Sequence, residues 1–104
     1  MSTLSTHVLD TVAGEPGVGM RIHLSRREGN EWVDVGEAVT DEDGRATGFG
    51  ELIGGRHRLG FETGEWGNRF FPFIHVVFEV DETRDHYHIP LLLSPFGYST
   101  YRGS

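Results

Sequence analysis

The run Ile74 to Val80 alternates in strict period two. Ile74, Val76, Phe78 and Val80 share one parity, and His75, Val77 and Glu79 the other. Successive side chains of an extended strand point to opposite faces, so such a run is a strand with one face buried and cannot be a helix of the same register. Arg56 to Thr63 repeats the pattern, with His57, Leu59 and Phe61 against Arg58, Gly60 and Glu62. Gly19 to Arg26 repeats it again, with Met20, Ile22 and Leu24 against Arg21, His23 and Ser25. No stretch carries a convincing 3.6-residue period. With 15 glycines and 4 prolines punctuating the runs, the pattern predicts an all-β sandwich or barrel. At 104 residues, the chain is one domain, 1–104, with no room for a second.

The remaining elements follow from turn chemistry. Leu4 to Leu9 reads as a first strand, ended by Asp10 and the turn-rich Ala13-Gly14-Glu15-Pro16-Gly17. Trp32 to Thr40 is a further strand, with Gly36 at a bulge position, and these first runs are expected to form a meander. Thr40-Asp41-Glu42-Asp43-Gly44-Arg45 is a polar turn. Ala46 to Ile53 reads as loop with one short strand, and residues 64–70 have room for a single helical turn. His86 to Ser104 forms two short runs joined by Ser94-Pro95-Phe96-Gly97, where proline presets one dihedral and glycine permits another. The total is seven or eight strands.

Charge narrows the function classes. The formal net charge is -7, from 16 acidic residues against nine arginines, with no lysine. A nucleic-acid surface needs a concentrated basic field, so that class is set aside. No run approaches the length of a membrane span and no leader-like segment opens the sequence, so no membrane partner is expected and the cytoplasm is the expected compartment. With no cysteine there are no disulfides or thiolate metal sites, and a domain this small is expected to gain stability by oligomerising.

The candidate chemistry gathers at the ending. His86 and His88, spaced i and i+2, stand on one face of a strand. A His-x-His pair can begin a metal site, but a histidine in a strand is more often a hydrogen-bonded structural residue. His23, His57 and His75 fall in alternating runs and are expected to pack or face solvent. Pro90, lacking an amide, marks an edge, a bulge or backbone lining a pocket, the last being preferred. Arg45 alone would be a solvated turn residue.

Three separated stretches change that weighting. Leu4-Ser5-Thr6-His7-Val8-Leu9-Asp10, Thr40-Asp41-Glu42-Asp43-Gly44-Arg45 and Tyr98-Ser99-Thr100-Tyr101-Arg102-Gly103-Ser104 resemble, in this order, the 5-hydroxyisourate hydrolases, the transthyretin-related enzymes of urate breakdown. The resemblance spans essentially the whole chain. It implies a transthyretin-like sandwich of two four-stranded sheets, assembled as a homotetramer, a dimer of dimers of 222 symmetry. It also implies hydrolysis of 5-hydroxyisourate to 2-oxo-4-hydroxy-4-carboxy-5-ureidoimidazoline, a lactam ring opening by water, without metal or cofactor. Family positions fall on His7, Arg45, His88 and Ser104 as catalytic residues, and on His7, Arg45, Tyr101 and Arg102 as substrate-binding ones. His7 and His88 are the proton handlers, which of them is the base being open, and Arg45 orients substrate and stabilises charge. Tyr101 offers a flat wall and Arg102 a second positive group. Ser104 offers a hydroxyl and, as the last residue of this sequence, a carboxylate. The competing reading is a transthyretin-like carrier that holds a small aromatic ligand in the central channel of a tetramer. A purely structural sandwich module is a third.

Overall fold

A computed structural model describes residues 2–103. Ten short strands and one helical turn follow one another: β1 (Thr3–Asp10), β2 (Glu15–Pro16), β3 (Arg21–Glu28), β4 (Glu31–Val39), β5 (Arg45–Ala46), β6 (Gly55–Phe61), α1 (Thr63–Trp66), β7 (Ile74–Val80), β8 (His86–His88), β9 (Leu91–Leu93) and β10 (Tyr98–Thr100). They form two sheets. One is the antiparallel order β4-β3-β6-β7. In the other, β1 runs between two interrupted neighbours. On one side it pairs parallel with β8 and then β9, in a single register that sets Leu4 opposite Tyr87 and Val8 opposite Leu91. On the other side it pairs antiparallel with β5 and β2, and β10 lies outside β9. The six segments therefore occupy four rows, and the expected sandwich of two four-stranded sheets is present.

Pro90 explains one interruption. It lies between β8 and β9, is buried, and has no N–H to give to a ladder. Its carbonyl accepts a hydrogen bond from Thr100 Oγ1 at 2.8 Å instead. Pro90 thus breaks a row of the sheet and packs inside, in place of the pocket-lining role preferred from the sequence.

The period-two reading of the faces is accurate. Ile22, Leu24, Leu59, Phe61 and Ile74 from one sheet and Leu4, Val8, Leu91 and Leu93 from the other close into one buried cluster. The register shift between β3 and β4 leaves Val35 as the extra residue beside Gly36, the expected bulge. The helical turn stands where the sequence allows one, tied by Thr63 Oγ1 donating to the Phe71 carbonyl at 2.6 Å. The meander of the first three runs is not formed. β3 and β4 make a hairpin, but β1 belongs to the other sheet, where both its edges are paired. Alternation fixes which face of a strand is buried and leaves its neighbours unspecified.

No helix among the described residues is long and apolar enough to cross a membrane. β7 and β10 end their sheets at the same side of the sandwich, and a groove of about 450 Å³ runs between these two free edges.

Candidate active site

Alternation along β1 turns Leu4, Thr6 and Val8 inward and Thr3, Ser5 and His7 outward. Thr6 is satisfied inside by donating from Oγ1 to the Ile89 carbonyl at 2.6 Å. The outward residues acquire neighbours from both sides through pairing. Thr3 lies opposite His86 and Ser5 opposite His88, while His7 lies opposite Arg45. Residues paired across a ladder share a face, so the two imidazoles of β8, the imidazole of β1 and the guanidinium of β5 meet on the outer side of one sheet.

The turn before Arg45 is built to hold its position. The Asp41 carboxylate accepts the N–H of Asp43 at 2.9 Å and of Arg45 at 3.0 Å, an arrangement that pulls its carboxyl below the usual carboxylate range, with the Arg45 amide as the first cause. The Asp41 N–H donates to the Arg45 carbonyl, and the Val8 N–H to that of Gly44. The turn presents the Asp43 carbonyl to His7, whose Nε2 lies 2.7 Å away. A carbonyl can only accept, so Nε2 of His7 carries a hydrogen, and no described residue hydrogen-bonds its Nδ1.

His88 is held differently. Its Nδ1 lies 2.8 Å from Ser5 Oγ, and no described residue hydrogen-bonds its Nε2. The same hydroxyl lies 2.8 Å from Nε2 of His86, and Nδ1 of His86 lies 2.6 Å from Thr3 Oγ1. Burial holds the His88 imidazole below its ordinary pKa, and the positive potential of Arg45, His7 and His86 adds to the effect. An imidazole lowered from about 6.5 is neutral at neutral pH and can accept a proton. Arg45 is exposed, its guanidinium a fork of donors beside the imidazole of His88.

The other sequence candidates are placed less closely. Tyr101 and Arg102 are exposed and border the groove between β10 and β7. Neither hydrogen-bonds or ion-pairs with His7, Arg45 or His88 among the described residues. Gly103, the next residue, is joined to the site: its N–H donates to the His88 carbonyl at 2.7 Å. Ser104 lies outside the described residues. Among those described, no group of three or more His, Asp or Glu side chains is placed to hold a metal ion. His86 and His88 share a hydroxyl between them.

Three participants escaped the sequence reading: Ser5, Asp41 and the Asp43 carbonyl. Ser5 sits two residues before His7, so its parity was visible. That it meets two histidines depends on the register between β1 and β8, more than eighty residues away in sequence.

A family model described as HIUase/Transthyretin matches residues 4–103. The chain belongs to the HIUase/transthyretin family. It is 42% identical to the 5-hydroxyisourate hydrolase of Caulobacter vibrioides, over 100% of both chains. Among solved structures, the 5-hydroxyisourate hydrolase of Klebsiella pneumoniae is 42% identical over 100% of both chains, with a TM-score of 0.86. Sea bream transthyretin in complex with thyroxine is 28% identical over 96% of this chain and 93% of its own, with a TM-score of 0.89. The family domain also occurs in longer proteins: this chain spans 37% of the uric acid degradation bifunctional protein TTL of Arabidopsis thaliana, at 38% identity. Membership in the HIUase/transthyretin family accounts for the two-sheet sandwich. The hydrolase and the thyroxine-bound transthyretin both share this backbone, so the fold alone does not separate the two activities.

Proposed function

We propose that this protein hydrolyses 5-hydroxyisourate to 2-oxo-4-hydroxy-4-carboxy-5-ureidoimidazoline by adding water to the lactam carbonyl. The observation that carries the reading is the meeting of His7, Arg45 and His88 on one sheet face, in a chain 42% identical from end to end to a 5-hydroxyisourate hydrolase.

Lactam hydrolysis needs a base for water, donors where the oxyanion develops and a flat-walled site. His88 serves as the base: burial and the Arg45 guanidinium keep it neutral, and no described residue occupies the Nε2 that takes the proton. His7, fixed by the Asp43 carbonyl, and Arg45 flank the carbonyl oxygen. The Arg45 guanidinium stabilises the negative charge that forms as water attacks. Tyr101 and Arg102 form the substrate wall, a role supported by the pairing of Gly103 with His88 that ties their segment to the site. Ser104 completes the set on the family resemblance, which offers either its hydroxyl or its carboxylate for the attacking water. No metal or cofactor enters the scheme.

The assembly proposed is a homotetramer, a dimer of dimers acting in the cytoplasm. The support for assembly is physical: among the described residues β7 and β10 leave unpaired edges side by side, and Val77 on β7 is 53% exposed. A free edge of this kind is a template for pairing with another copy.

The deciding experiment follows the ultraviolet absorbance of freshly prepared 5-hydroxyisourate with and without purified protein. Accelerated decay is expected. Decay at the spontaneous rate, together with tight thyroxine binding, would instead establish the carrier reading.

A further inference from the structure

The hydrogen bonds behind His88 form a chain with a definite sense. Ser5 Oγ lies 2.8 Å from both His88 Nδ1 and His86 Nε2. A hydroxyl has one hydrogen to donate, so it donates to one ring and accepts from the other. If His88 is the base, its Nε2 is bare and its Nδ1 carries hydrogen. Nδ1–H then donates to Ser5 Oγ, the Ser5 hydroxyl donates to His86 Nε2, and His86 Nδ1–H donates to Thr3 Oγ1, 2.6 Å away. Every group in the row is used once and in its proper role.

We infer that Ser5 and His86 are positioning residues that form a proton relay with His88, and that His86 holds the proton taken from the attacking water. The inference rests on the hydrolase reading above. As the water oxygen bonds to the lactam carbon, its proton passes to His88 Nε2. The Nδ1 proton of His88 passes to Ser5 Oγ, and the Ser5 hydroxyl proton to His86 Nε2. His88 ends neutral with its hydrogen on Nε2, and His86 becomes imidazolium. When the carbon–nitrogen bond of the tetrahedral intermediate breaks, the reverse sequence returns the proton to the leaving nitrogen.

Electrostatics favours this placement of charge. A cation left on His88 would stand among Arg45 from β5, His7 from β1 and His86 itself, in a half-buried position. His86 is exposed, so water solvates a charge there that the site would resist. Arg84 is the cation on this side, and its Nε is engaged by the His86 backbone carbonyl at 3.1 Å rather than by the ring. Arg45 and His7 meanwhile keep their places beside the carbonyl oxygen.

The test begins with wild-type turnover, whose absence would sink the hydrolase reading itself. Given turnover, Ser5→Ala and His86→Gln should each lower kcat roughly 10- to 100-fold with KM changed less than about twofold, the scale of losing a partner that sets an imidazole's tautomer. Ser5→Thr keeps the hydroxyl and should retain most activity. Glutamine keeps hydrogen-bonding capacity but cannot hold the proton, so a wild-type kcat for His86→Gln overturns the relay, as does one for Ser5→Ala. Nitrogen-15 NMR of the resting wild-type enzyme supplies a readout independent of turnover. Hydrogen on Nδ1 of His88 is expected, and hydrogen on Nε2 would overturn the proposed sense of the chain.

Discussion

The imidazole of His88 lies directly against the backbone of Gly103. A methyl group built on Gly103 would stand 2.7 Å from His88 Cδ2 and 3.2 Å from its Cβ. The Gly103 N–H meanwhile donates to the His88 carbonyl, so the segment cannot retreat without losing a bond. Gly103→Ala should therefore turn the ring of His88 off its line to the substrate. A misplacement of about 1 Å can cost ~10²-fold in rate, and a fall in kcat of that order is expected with little change in the thermal midpoint. Steady-state kinetics beside a melting curve checks it, and unchanged kcat would show that the ring position is unimportant.

A second glycine supports His7 through the turn before Arg45. Gly44 has φ of +76°, and a side chain there would also press on the Val8 carbonyl oxygen and approach Pro16 Cβ at 3.0 Å. Both the left-handed conformation and the close approach exclude a Cβ. Gly44→Ala is expected to destabilise the fold by about 1–3 kcal/mol, the usual cost of such backbone strain. Urea unfolding measures it. Because the Asp43 carbonyl holds His7, kcat should fall as well, in proportion to the shift of the turn.

Arg45 and His7 themselves should fail differently. His7→Ala and Arg45→Ala remove side chains from the surface of a sheet whose core stays intact, so each is expected to lower kcat by about 10²-fold or more with stability nearly unchanged. Parallel loss of stability and activity in both variants would point to a structural role.

What was legible in the sequence divides along a physical line. Ile74 to Val80 could be read to the residue, because its alternation is local and its boundaries are turns. The partner of β1 could not, since the same inward row of Leu4, Thr6 and Val8 suits any sheet. The identities of His7, Arg45 and His88 came from motif resemblance. Their juxtaposition comes from two long-range registers, β1 with β5 and β1 with β8. Ser5 shows the limit: a serine in a strand carries no local sign that it will bridge two rings.

The free edges of β7 and β10 predict how assembly should respond to charge. Val77 projects from β7 into the groove shared with the segment after β10. Val77→Lys places a charge on that edge, a common natural means of blocking strand pairing. Light scattering should show the wild type as a tetramer and the variant as a smaller species. A tetramer in both would remove this edge from the assembly surface.

His57 predicts a pH dependence of stability that is separate from catalysis. Its ring is 1% exposed, stacks on Phe78 with centroids 5.9 Å apart, and is held below its ordinary pKa chiefly by burial. His75 and His88 are shifted the same way, again with burial as the first cause. The folded protein therefore keeps these rings neutral where the unfolded chain takes up protons. Below the unfolded value of about 6.5 the unfolded state binds more protons, so stability is lost as pH falls through that value toward the folded ones. The lowered carboxyls of Asp41, Glu65 and Asp81 shift in the same protonation sense, each favouring its deprotonated form in the folded state. Their contribution is present above their unfolded values near 4 and is lost below them, outside the histidine window. Replacing His57 with phenylalanine keeps a ring in the core and removes one titrating site. The slope of unfolding free energy between about pH 5 and 6.5 should then become shallower, by at most about 1.4 kcal/mol per pH unit for one proton. Urea titrations across that window measure both slopes, and equal slopes would mean that His57 is not among the groups that make the fold acid-sensitive.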